Sequence, residues 1–368
     1  MDMSKFLVDA YFTEHEPQAR YMMGSSDPES LSLKEAVPDL SRYSDEHLGY
    51  ALGNGWLPLR KKLAGLYKTV DPDQIIVMNG GEETIYVTMR ALLKPGDELL
   101  VQMPSYQSLT VIAKEIGCPI NEYRPSFEHG WRFDPDGLEE KLTPKTRGLI
   151  LNYPHNPTGA CLTYGEMETI ARICREHDLY LISDEAYRFL RIDESCTDAS
   201  FADLYDRSIV LESFSKTFAA PGLRLGWITV KDPELKNKLL AYRHFTSTCT
   251  NLPCQWIAGE LLNKQVEIIA RNNAIVKKNA ALLKLFIERH SDLLSYVPPK
   301  GATMAYVRLR NGISASAFCQ KLLNETGILI IPSSVLEDSD EYLRVGLCRE
   351  SFPECLQILN KYLMDHPV

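Results

Sequence analysis

From about residue 70 the chain alternates between short apolar runs and amphipathic stretches. "QIIVMN" (74–79), "ELLVQMP" (98–104), "TRGLILNYP" (146–154), "LYLISDEAY" (179–187), "RSIVLESFS" (207–215) and "RLGWITV" (224–230) read as strands. Between them, "GEETIYVTMRALL" (81–93), "SLTVIAKEIG" (108–117) and "YGEMETIARICREHD" (164–178) carry helical spacing. "KPGD" stops the first of these helices and Gly117 ends the second. Strands that alternate with helices need crossover connections. The pattern therefore predicts an α/β fold, a mostly parallel sheet with helices on both faces. The strand runs are almost continuously apolar, as strands buried on both faces should be.

The pattern changes in the tail. A helical region runs from about 251 to 290, and "VPPKGATMAYVRLR" (297–310) follows it. Next come a helix near 314–326, strand-like "ILIIP" (328–332) and "YLRVGLC" (342–348), and a last helix over about 352–364. This reads as a smaller α+β domain. The N-terminal segment has too few apolar positions to stand alone and is expected to pack on that domain. The 368 residues exceed what one compact core usually holds. The predicted division is a large domain over 45–245 and a small one built from 1–44 and 246–368.

Composition narrows the classes. With 45% hydrophobic and 24% charged residues the chain can bury a sizeable core. A net charge of −9 gives no reason to expect a nucleic-acid partner. The N-terminal stretch has no apolar signal region, and no apolar run is long enough to cross a bilayer, so a cytoplasmic location and no membrane partner are expected. The nine cysteines form no C-x-x-C pair and their count is odd, which points to reduced thiols.

In open parallel sheets ligands bind at the carboxyl ends of the strands. The chemically capable residues cluster just there: Gly80–Gly81, Pro104–Tyr106, Asn152–Asn156, Asp184–Tyr187 and Ser213–Lys216. A lysine in an interior-like stretch can serve as an amine nucleophile toward carbonyls, although a lone lysine is more often a surface group. "NGGEET" opens a helix after a strand and offers free backbone N–H groups to a phosphate; by itself it is an ordinary tight turn. Ser213 and Ser215 add hydroxyls, and Arg224 adds a planar fork. Asp184 ends a buried strand, where a carboxylate calls for a cation such as a protonated pyridine nitrogen, the alternative being a helix cap. Tyr187 and Asn156 can bond a phenolate oxygen of the same ring, and Tyr106 can stack on its face. Together these describe a pocket for a phosphorylated pyridine aldehyde held by a lysine, which is pyridoxal 5′-phosphate.

The texts "YALGNGWLPLR", "NGGEET", "KPGDELLVQMPSYQS", "NYPHNPTG", "SDEAY", "SFSKTFAAPGLRLGW" and "YLRVGLCRE" run in order from about residue 45 to 350. In this the chain resembles the fold-type I pyridoxal-phosphate enzymes of the class I/II aminotransferase family, like aspartate aminotransferase. The resemblance implies a seven-stranded, mostly parallel sheet flanked by helices, plus the smaller α+β domain. It implies that Lys216 forms the internal aldimine and later carries the proton, and that Asp184 keeps the ring nitrogen protonated. Tyr187 and Asn156 would bond the ring oxygen and Tyr106 would stack. The amides of Gly81 and Glu82, with Ser213, Ser215 and Arg224, would bind the phosphate. Tyr50 matches a tyrosine that relatives send into the neighbouring subunit, which implies a homodimer with shared sites. Arg344 matches the clamp on the substrate α-carboxylate, assisted by Asn156, and Gly24 matches a segment that closes over substrate.

Three places depart from the family pattern. Glu82 and Glu83 sit in the turn that would hold a phosphate dianion, so either their side chains point away or the phosphate geometry differs. "IPSSVL" (331–336), with Pro332 and Ser333, replaces a Pro-Gly before a phenylalanine and leaves side-chain specificity open. His155 precedes the key asparagine and reads most simply as a loop histidine bonded to backbone. The implied function is transamination between an L-amino acid and a 2-oxo acid. The alternative is a lyase or cyclase on the same cofactor, for instance one that makes a modified arginine-type residue. A purely regulatory scaffold would not need Lys216, Asp184 and Arg344.

Overall fold

A computed structural model describes residues 6–366. Helices α1 (Leu7–His15), α2 (Leu33–Ala36) and α3 (Leu57–Ala64) precede the first sheet. That sheet consists of β1 (Ile75–Met78), β2 (Glu98–Gln102), β3 (Ile120–Tyr123), β4 (Thr146–Asn152), β5 (Tyr180–Asp184), β6 (Ser208–Ser213) and β7 (Gly226–Val230). Its order is β1-β7-β6-β5-β4-β2-β3, parallel throughout except for β7, which runs against both neighbours. The connecting helices are α4 (Gly80–Leu92), α5 (Ser108–Ile116), α6 (Pro135–Glu139) and α7 (Tyr164–Glu176). Apart from edge strand β3, the strands are buried on both faces, and two apolar cores lie against them, one per face.

α8 (Pro233–His244), α9 (Leu252–Asn263) and α10 (Gln265–Arg289) lead to a second, antiparallel sheet of order β10-β11-β9-β8. Its strands are β8 (Leu294–Tyr296), β9 (Met304–Leu309), β10 (Ile331–Pro332) and β11 (Tyr342–Gly346), and α11 (Ala315–Thr326) and α12 (Phe352–Asp365) pack on it. This is the α/β architecture the pattern predicts. The helical region 251–290 is two helices that meet at Lys264. Ala258 and Leu261 of α9 belong to the core of the first sheet.

Several elements escape the pattern, among them α3, α6 and β8 as well as β3 and α8. β3 is a sheet edge with only Tyr123 fully buried, so "INEY" shows no apolar run. In α8 only Leu235, Leu239 and Arg243 are buried, too few to mark a stripe. The expectation of reduced thiols is corrected at one pair. Cys161 and Cys196 form a disulfide with Cα atoms 5.4 Å apart, while the other seven cysteines are free. Sequence spacing could not reveal this pair, because 35 residues separate the two cysteines and the fold brings them together. No described helix is long and apolar enough to cross a membrane.

The chain closes tightly where the site begins. Gly226 opens β7 directly against the exit of β1. A Cβ there would stand 2.7 Å from the Glu212 carbonyl oxygen and 2.9 Å from the Gly80 backbone, so only glycine fits without displacement.

Candidate active site

The carboxyl ends of β1, β2, β4, β5 and β6 open into one cavity of about 360 Å³. Asp184, Tyr187, Asn156, Tyr106, Lys216 and Arg344 all line it. So do Gly81, Glu82, Ser213, Ser215 and Arg224. Eleven of the thirteen residues singled out in the sequence thus meet in one place. Gly24 lies just beneath, where its carbonyl accepts a hydrogen bond from Arg344 at 3.0 Å. Tyr50 is apart from the cavity and 93% exposed.

Lys216 follows β6 in a short turn, and its Nζ donates to Ser26 Oγ at 2.9 Å. Ser26 is itself held, because Thr303 donates to its carbonyl at 2.6 Å. The Lys216 ammonium also stands 6.0 Å from the centre of the Tyr187 ring. Asp184 ends β5 at the cavity floor. Its Oδ1 accepts the Ala186 N–H at 3.1 Å, and desolvation pushes its carboxyl up to about 6. Asn156 is oriented by its own backbone N–H, which donates to Asn152 Oδ1 at 2.8 Å, while Asn152 bonds the Asp184 carbonyl. Arg344, on β11, reaches across from the second sheet to Asn156 Oδ1 at 3.4 Å. It is 2% exposed, burial lowers its pKa, and its Nε has no hydrogen-bond partner among the described residues. A buried guanidinium with an unused donor is costly unless an anion completes it.

The two glutamates of "NGGEET" resolve differently. Glu83 turns away: it accepts from the Asn79 N–H at 2.6 Å and from Thr246 Oγ1 at 2.6 Å. Glu82 stays at the cavity, where Tyr106 OH (2.5 Å) and Ser108 Oγ (2.7 Å) donate to its two oxygens. His155 is a locked loop residue. Its Nε2 donates to the Pro104 carbonyl at 3.0 Å, its Nδ1 meets Thr158 Oγ1 at 2.7 Å, and burial lowers its pKa to about 4. Pro332 and Ser333 do not line the cavity; their segment packs with Val8 and Trp131 beneath α1.

Sequence reasoning missed several groups. Ser26 touches Lys216 across 190 residues of chain, and no local pattern signals such a contact. Val8, Asp9 and Phe12 of α1 also line the cavity, although α1 has no strong amphipathic stripe. Behind the floor, Arg188 pairs with Glu212 at 2.8 Å and approaches Glu185 at 3.8 Å, while Tyr67 donates to Glu212 at 2.9 Å. Glu185 and Glu212 were visible as acidic letters inside "SDEAY" and "LESFSK", and apolar surroundings there were the available hint.

The residues present fit a phosphorylated pyridine aldehyde. Asp184 is a desolvated carboxylate with a single backbone partner, suited to a protonated ring nitrogen. Gly80 has φ +79°, and a Cβ on it would stand 2.7 Å from an Arg224 nitrogen, inside the space between the α4 N-terminus and that guanidinium. Ser213 borders the same space, 4.0 Å from a Cβ built on Gly81.

The sequence pattern described as aminotransferase class I and II matches residues 21–357. The chain belongs to that family. It is an enzyme that transfers amino groups with pyridoxal phosphate. Among its relatives, the aromatic-amino-acid aminotransferase 2 of Thermococcus litoralis is 30% identical, over 91% of this chain and 92% of that protein. The arginine–pyruvate transaminase AruH of Pseudomonas aeruginosa is 29% identical, over 81% of this chain and 77% of that one. A solved PLP-dependent aminotransferase from Streptococcus suis superposes with a TM-score of 0.93 at 29% identity, each chain covered in full. Transamination is thereby favoured over the lyase or cyclase alternative.

Proposed function

We propose that the cavity carries out both halves of a transamination between an amino acid and a 2-oxo acid, with Lys216 as the reacting amine and proton carrier. The observation that supports it most is the convergence of Lys216, Asp184, Asn156, Tyr187 and Arg344 in one cavity. In this reading the N-terminus of α4 with Ser213, Ser215 and Arg224 holds the cofactor phosphate, and Asp184 accepts the ring N–H. Asn156 and Tyr187 bond the ring oxygen, and Tyr106 covers its face. When bound, pyridoxal phosphate supplies an aldehyde that captures amines and a ring that draws off carbanion electrons. Arg344 then receives the substrate α-carboxylate, which satisfies its buried guanidinium and fixes the Cα–H bond toward Lys216. Lys216 takes the proton from Cα and returns it on the other side of the reaction. Ser26 holds the amine in place between these tasks.

Residues 45–245 would carry the cofactor, and the flanking segments 1–44 and 246–368 would close over it. The enzyme would work as a homodimer. Leu48, Tyr50, Leu52 and Phe245 are 62–93% exposed in the single chain, more apolar surface than isolated side chains explain. Arg243 nearby in sequence is buried with three guanidinium nitrogens lacking hydrogen bonds among the described residues. Tyr50 would reach the phosphate site of the partner. Seven free cysteines would suit a cytoplasmic compartment, with the Cys161–Cys196 bond as the feature that runs against it. The test is a half-reaction with a single amino acid. One 2-oxo acid formed per subunit without ammonia supports transfer; released ammonia or a released substituent overturns it.

A further inference from the structure

The relatives' names span aromatic, arginine and aspartate substrates, so they do not select a side chain; the charges around the cavity do. Resting on the assignment above, we propose that this enzyme takes amino acids with a cationic head on an apolar stem, and that Asp9 receives that head.

Three cations line the cavity: Lys216, Arg224 and Arg344. Each has a task in the reading above, as amine, phosphate ligand and carboxylate clamp. Among the described residues no cation is left there for a distal carboxylate. The carboxylates are more numerous, and all but one are held. Glu82 takes two hydroxyls, Glu212 pairs with Arg188, Asp27 pairs with Arg349 at 2.8 Å, and Asp184 lies at the floor. Asp9 lines the cavity, and its carboxylate makes no hydrogen bond or ion pair among the described residues.

The position of Asp9 is fixed from both sides of the cleft. The Leu7 N–H donates to Gln107 Oε1 at 2.7 Å, and Tyr11 OH donates to the Ile330 carbonyl at 2.9 Å. Helix α1 thus bridges the two parts of the molecule over the cavity. Val8 and Phe12 lie one turn apart on it and both line the cavity, where they can cover methylene groups while Asp9 meets a charge at the end. Partial burial already raises the Asp9 carboxyl, and Arg224 and Lys216 oppose this. Asp9 is exposed at the edge of the cavity; a phosphate on Arg224 would cancel part of that support, and the ammonium or guanidinium of a bound substrate would replace it.

Two measurements on the holoenzyme test this. The first compares single-amino-acid half-reactions for lysine, ornithine and arginine against norleucine, a neutral stem, and against glutamate. The cationic substrates should exceed norleucine by about tenfold or more in kcat/KM, the scale of a charge-assisted hydrogen bond. Asp9→Asn should lower the lysine-to-norleucine ratio by about that factor, chiefly through KM, and Asp9→Glu should retain the preference. The second is calorimetric binding of 6-aminohexanoate, which has a carboxylate and a cation but no α-amine to react. It should bind more tightly than hexanoate to the wild type and no more tightly to D9N. Preference for glutamate or for a neutral side chain, or a ratio untouched by D9N, overturns the assignment of Asp9. Failure of every amino acid to react overturns the underlying reading instead.

Discussion

At the scale of single residues, the structure makes Asp184 and Arg344 the two most informative side chains. Asp184 is a carboxyl that burial pushes up on folding, from its ordinary value of 3.8 to about 6. In the cofactor-free protein its folded form therefore binds a proton that the unfolded form has lost. Its contribution to stability is intact below about pH 3.8, shrinks as pH rises toward 6, and stays lost above that. Thermal melts of the apoprotein from pH 4 to 7 should show this decline, on the order of 1–3 kcal/mol. Asp184→Asn should flatten it, and an unchanged slope would refute the burial cost assigned to Asp184. Arg344→Gln should cost about 2–5 kcal/mol of substrate affinity, seen in kcat/KM, because it removes a buried charge partner of the carboxylate. An unaltered KM would place the carboxylate elsewhere. Lys216, Asp184 and Asn156 were legible in the sequence because each follows an apolar strand at a position where polarity is expensive. Ser26 and Asp9 were not, since they belong to a segment that meets the cavity only after folding.

At the scale of elements, most strands of the first sheet and the helices α4, α5 and α7 follow from the apolar pattern, with ends that overrun by a few residues, as in 179–187 against β5 (Tyr180–Asp184). The exceptions include the short helices α3 and α6, edge strand β3 and helix α8; in β3 and α8 few side chains are buried and the period has nothing to write it. The buried cluster beneath β5 and β6 was hidden for a different reason. A glutamate in a strand reads as polar, and only the fold shows Arg188 opposite Glu212. Burial pushes the Glu212 carboxyl up to about 8 even with that arginine beside it. Arg188→Met should therefore destabilise the protein by about 3–5 kcal/mol, since it strands two carboxyls; denaturant melts would measure it. The disulfide ties the loop after Asn156 to the loop after Leu190, closing 35 residues that include β5. By loop entropy the Cys161→Ser, Cys196→Ser double variant should lose about 3–4 kcal/mol under oxidising conditions. Equal stability of the two proteins there would mean the bond does not form.

At the scale of the whole molecule, two sheets with separate cores meet at one cavity, and the N-terminal helix spans its mouth. Arg344 comes from the second sheet and Lys216 from the first, so the site exists only when both are assembled. The exposed patch around Tyr50 and Phe245 predicts a two-chain mass by light scattering. Phe245→Asp should weaken that association and lower activity with it; an active monomer would remove Tyr50 from the site. The central claim is that Lys216 is the amine joined to the cofactor. Borohydride reduction of the holoenzyme fixes a carbon–nitrogen double bond in place, and peptide mass spectrometry locates it. The account predicts a pyridoxyl group on Lys216 and none in Lys216→Ala; the group on another lysine, or on no lysine, would contradict it.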